Sequence, residues 1–149
     1  MNNCERPILT TGVLVRLFSG GMGRSLEKGQ KQMCVPYGKY VRVKNTLINA
    51  KTGLKLSTSE NHPCLCIEAD ERGSRLIVLT TAPGLNVEDF VNVGPILDKQ
   101  KNSYANLKGI FWCTKQDESG FESRPKNLVA GADMSKVIET LEENGVTFG

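Results

Sequence analysis

Several common features are missing from these 149 residues. No apolar run approaches the ~20 residues needed to cross a bilayer as a helix, so no membrane-spanning segment is expected. The opening Met-Asn-Asn-Cys-Glu-Arg-Pro has no basic-apolar-small pattern, and no export signal is expected there. There is no Cys-x-x-Cys pair and no internal repeat. The five cysteines (Cys4, Cys34, Cys64, Cys66, Cys113) are an odd number. A secreted disulfide framework normally has an even one, so the chain reads as cytoplasmic, in a reducing compartment, with free and mostly buried thiols. Gly20-Gly21-Met22-Gly23-Arg24-Ser25 lacks the Gly-Lys-Ser/Thr ending of a phosphate loop and reads as a mobile connection. Histidine occurs once, as His62.

At roughly 100–200 residues per domain, the length suits a single domain over 1–149 that buries about two-thirds of its unfolded surface. Charge is unevenly placed. Residues 1–58 hold ten Lys/Arg and two acids, a net of +8, whereas residues 59–149 hold nine and fourteen, a net of −5. A segregated basic half is the footprint of a polyanion binder, because each neutralised phosphate releases condensed counterions.

Period-2 alternation dominates the first two-thirds. Residues 11–18 read as a strand. In 38–44, Tyr40, Arg42 and Lys44 point one way, Val41 and Val43 the other. The stretch 45–61 reads as a polar loop. Runs 63–69 and 75–81 are apolar enough to be central strands, and the Asp70-Glu71-Arg72-Gly73-Ser74 between them suits a hairpin. A short strand over 90–93 is ended by Gly94-Pro95. Another spans 107–113, with Phe111 and Cys113 opposite Trp112. One helix is evident near the end. Asp133 caps it, Met134, Val137, Ile138 and Leu141 form its apolar stripe, and Gly145 stops it. The fold expected is mainly β (α+β), a small barrel or strongly bent antiparallel sheet with a C-terminal helix.

His62 enters a strand in which Cys64, Cys66 and Glu68 share its side, with Leu65 and Ile67 on the other. Imidazole plus two thiolates is a donor set zinc accepts. Same-face residues on a strand are roughly 6.5–7 Å apart, however, too far for one tetrahedral ion, and no metal site is assigned. A proton-transfer role suits an imidazole whose ordinary pKa is ~6.5, and Glu68 is placed to orient it. Arg42, Lys44, Lys51 and Lys55 are candidate phosphate contacts. Tyr37 and Tyr40 are candidate stacking surfaces or simple packing.

The segment Gly38-Lys39-Tyr40-Val41-Arg42-Val43-Lys44, the loop after it, Asn61-His62-Pro63-Cys64-Leu65-Cys66-Ile67 and Arg75-Leu76-Ile77-Val78-Leu79-Thr80-Thr81-Ala82 resemble the core of the MazF/PemK family of ribonuclease toxins. The likeness covers about residues 38–97. It implies an SH3-like barrel core over 38–113, a 1–37 extension and a 114–149 loop and helix. It further implies metal-independent cleavage of single-stranded RNA with no cofactor, a homodimer, and an inhibitory antitoxin protein as partner. The family's Arg-Pro step falls on His62-Pro63, so His62 takes the place of its catalytic arginine. The Thr of its Thr-Ala ending falls on Thr81, with Thr80 the alternative register. The competing expectation is a non-catalytic nucleic-acid-binding or protein-adaptor module on the same barrel.

Overall fold

Alternation shapes strand β1 (Lys39–Lys44), which buries Val41 and Val43 and exposes Arg42 and Lys44. The computed structural model describes residues 34–84 and 87–149. The strand expected over 11–18, the 20–25 loop and Cys4 lie outside them. After β1 come helix α1 (Asn45–Thr52), strands β2 (Asn61–Asp70), β3 (Gly73–Thr80), β4 (Phe90–Asp98), β5 (Lys101–Cys113) and β6 (Lys126–Asn127), and helix α2 (Met134–Glu143). All pairings are antiparallel, in the order β4-β5-β3-β2-β1-β6, and the sheet curls into a half-barrel. Of the two forms expected, the bent sheet with a C-terminal helix is the one present.

Both faces of this sheet are packed. On one, Val41, Val43, Cys64, Cys66, Leu76, Val78, Phe111 and Cys113 meet Ile48 of α1 and the Cys34-Val35 segment. On the other, Leu65, Ile67, Ile77, Leu79 and Ala105 meet Val137 and Leu141 of α2, with Val146 following. We call these the thiol face and the α2 face. Pro63–Ile67 is therefore buried on both sides, and truncating Leu65 to Ala costs about 2–5 kcal/mol.

The α2 boundaries match the sequence reading. Asp133 Oδ1 accepts hydrogen bonds from Ser135 N and Lys136 N, at 3.0 and 3.4 Å, satisfying two of the amides that a helix start leaves open. The β2–β3 hairpin also forms where Asp70–Ser74 was expected, closed by the Asp70↔Gly73 pair.

Three readings need correction. Residues 45–52 are a helix rather than loop. Its start carries no sequence signal, because Lys44 offers no capping side chain, although Gly53 in the left-handed region marks its end. Tertiary contacts hold it instead. Ile48 is buried, while Asn45 and Asn49, one turn apart, bond the returning chain: Asn45 Nδ2 to Ser57 O at 2.7 Å, and Asn49 reciprocally to both backbone groups of Leu56 at 2.9 Å. Gly94-Pro95 does not end β4. Gly94 takes φ 88° at a register shift, and the proline is tolerated because β4 is an edge strand. Finally, β5 begins at Lys101, not Leu107. Between Ile77↔Ile110 and Leu79↔Ala105, four residues of β5 (106–109) face Val78 alone, which bends the strand and hides its continuity in sequence.

Candidate functional site

The site assembles at the rim where β1 ends and β2 begins. His62 pairs with Val43 across these strands and is half-buried on the thiol face. Its Nδ1 lies 2.7 Å from Oδ1 of Asn45, the first residue of α1 and fully buried. Because the Asn45 amide nitrogen is engaged by Ser57 O, its oxygen accepts and His62 Nδ1 donates. That leaves Nε2 of the neutral ring as the basic nitrogen. Burial is the main cause that lowers the His62 pKa from its ordinary value, and the Arg42 guanidinium adds to it against an opposing pull from Glu60. The imidazole is thus neutral at pH 7 and ready to accept a proton.

Arg42 projects from the opposite face of β1, where Nε donates to Asn61 Oδ1 at 2.6 Å, pinning the guanidinium beside the rim. Thr80 closes β3. The β2–β3 pairing ends at Cys64↔Val78, and beyond it strand alternation leaves both His62 and Thr80 on the thiol face. The Thr80 hydroxyl is engaged locally, accepting from Ala82 N at 3.1 Å. Thr81 follows the strand end and is exposed.

The four candidate cations do not form one cluster. Arg42 and Lys44 lie on the α2 face of β1, with Lys44 Nζ 3.7 Å from Glu122. Lys51, at the end of α1, is 3.1 Å from Asp117; against burial, which raises that carboxyl, the Thr114 amide and Lys51 hold it below the usual range. Lys55 is exposed in the segment returning from α1.

Glu68 does not orient His62. A register shift between Cys66 and Glu68 inserts one residue into β2, so alternation resets and Glu68 emerges beside Arg75 on the α2 face. There its carboxylate is 3.2 Å from Arg75 Nη1 and accepts from Gly149 N at 3.1 Å. Arg75 in turn donates to Thr147 O and lies over the Phe148 ring.

The thiols of Cys34, Cys64, Cys66 and Cys113 are free and buried together. Burial pushes Cys34 up to about 11 and Cys66 and Cys113 to about 12. Among the described residues, no three His, Cys, Asp or Glu side chains are placed to hold a metal ion. Asn45 is the residue of this site that the sequence reading passed over. Its one available signal was position, directly after a basic strand and one turn before a second asparagine.

No family model matches this chain, and no curated protein sequence matches it.

Proposed function

We propose that this protein is a metal-independent endoribonuclease of toxin type, cutting single-stranded RNA at the His62 rim. The observation that supports this reading is the hydrogen bond from His62 to buried Asn45, which fixes the tautomer and leaves Nε2 basic. In the proposed step, Nε2 removes the proton of a ribose 2′-hydroxyl, and the 2′-oxygen attacks the adjacent phosphorus. The P–O5′ bond breaks, and the imidazolium returns its proton to the leaving 5′-oxygen, giving a 2′,3′-cyclic phosphate and a 5′-hydroxyl. An imidazole is a poorer clamp for the developing phosphate charge than a permanently ionised guanidinium. Arg42, held by Asn61 on the other face of the same strand end, is a fixed positive charge that a phosphate seated across that end would meet. The Thr80 position across the rim suits a contact to the scissile phosphate, with Thr81 beside it. An intracellular location, a homodimer and an inhibitory antitoxin protein belong to the same proposal.

A second reading, nucleic-acid binding without cleavage, draws support from the local engagement of the Thr80 hydroxyl and the pairing of Lys51 with Asp117. One experiment separates them. Purified protein is incubated with end-labelled single-stranded RNA, with and without EDTA, beside His62→Gln, which keeps a donor for Asn45. Cleavage that survives the chelator and is lost by at least a hundredfold in His62→Gln supports the nuclease. Binding with no cleavage by the unsubstituted protein supports the second reading, and full activity in His62→Gln overturns the assignment of His62.

A further inference from the structure

Most of the α2 face is covered by its helix, but the β1 side is not. Gly38 marks the border, since a Cβ there would sit 3.4 Å from Met134 Cγ of α2. Beyond it Tyr40, Arg42 and Lys44 follow one another on a single side of β1, at roughly 6.5–7 Å spacing. Lys126 of β6 pairs directly with Tyr40 and so presents its side chain on the same face. Arg42, Lys44 and Lys126 are exposed, and Tyr40 is half-buried among them. Two acids stand at this edge, Glu122 beside Lys44 and Glu60 just before Asn61. Lys126 makes no ion pair among the described residues. Arg42 has its Nε taken by Asn61, which steadies the fork while its terminal nitrogens carry no bond within the described residues.

We propose that this strip, Tyr40, Arg42, Lys44 and Lys126, is a binding track for single-stranded RNA, carrying the nucleotides that flank the His62 rim. It rests on the reading of the chain as acting on RNA, and it extends that site to Lys126 and away from Lys51 and Lys55. Charge complementarity argues for a polyanion. The aromatic ring set among the cations on a sheet surface argues for a single strand, whose unpaired bases can stack where a duplex's cannot. The track ends at Lys44 and Asn61, and a strand leaving it turns round the end of β1 and β2 to reach the His62 ring on the other face.

The test uses a fluorescein-labelled twelve-uridine RNA, read by anisotropy at two salt concentrations, with cleavage followed in parallel. Lys126→Glu and Tyr40→Leu are each expected to raise Kd about tenfold, with Lys126→Glu also flattening the salt dependence of binding. Lys99→Glu, in the β4–β5 turn at the far edge of the sheet, should bind and cut as the unsubstituted protein does. Unchanged Kd in both strip variants overturns the track even if His62→Gln abolishes cleavage. Weakened binding in both upholds it even if no variant cleaves, in which case the nuclease reading alone fails. Equal competition by polyglutamate, or equal affinity for the RNA duplex, also overturns it, since either shows a general polyanion surface.

Discussion

Asn45 carries more of this structure than its type suggests. Fully buried, it joins the α1 start, the returning segment at Ser57 and the His62 ring. Replacing it with Ala leaves the Ser57 carbonyl and His62 Nδ1 without partners, for a loss of about 1–3 kcal/mol in urea unfolding. The same variant frees the ring to change tautomer, so any cleavage activity should fall more than the stability loss explains. The pH dependence of His62 follows from its lowered pKa. The unfolded chain takes up a proton near ~6.5, and the folded protein resists doing so until a lower pH. The His62 contribution to stability is fully present well above pH ~6.5 and is lost as the pH falls from there through the folded value. Thermal melts from pH 7.5 down to 5.5 should show this decline, and it should be smaller in His62→Gln. A cleavage rate limited by the neutral ring should likewise inflect below 6.5.

Elements were legible where burial repeats along the chain. β1 and α2 show their periodicity because one stripe of each meets a core, and β2 and β3 show as unbroken apolar runs because both of their faces do. Helix α1 was not, since its stability lies in Asn45, Asn49 and Ile48 reaching residues outside it. The thiol-face position of His62 could be read from alternation, whereas the Glu68 position could not, because a bulge gives no compositional sign. A similar long-range dependence ties the Cys34-Val35 segment to the hairpin. Val35 N donates to Ser74 Oγ at 2.8 Å, and that hydroxyl donates to Val35 O at 2.6 Å, all out of water. Ser74→Ala removes both bonds at once and should cost about 2–4 kcal/mol. Limited proteolysis should then cut near residues 34–37 at protein concentrations and temperatures where the unsubstituted chain resists.

At the scale of the molecule, packing both faces of the sheet leaves little of β2 and β3 to water. It also sequesters chemistry. The four described cysteines form a cluster of protonated thiols, because their raised pKa values leave very little thiolate at neutral pH. Iodoacetamide at pH 8, followed by peptide mass mapping, should label Cys34, Cys64, Cys66 and Cys113 at least a hundredfold more slowly in the folded protein than in urea. Rapid native labelling at Cys64 or Cys66 would show that the thiol face opens readily.

The one-residue insertion at Ile67 has a reach beyond its own turn of strand. Were β2 to keep every residue and run on in unbroken register from Cys66↔Leu76, Glu68 would oppose Ser74 and its carboxylate would be driven among thiols and aliphatic side chains; the shift sets it beside a guanidinium instead. Deleting Ile67 would make the pairing regular and leave the glutamate opposite Arg75, at the loss of one buried side chain from the α2 face. Here the register of pairing, more than the kind of residue, keeps charge out of the core.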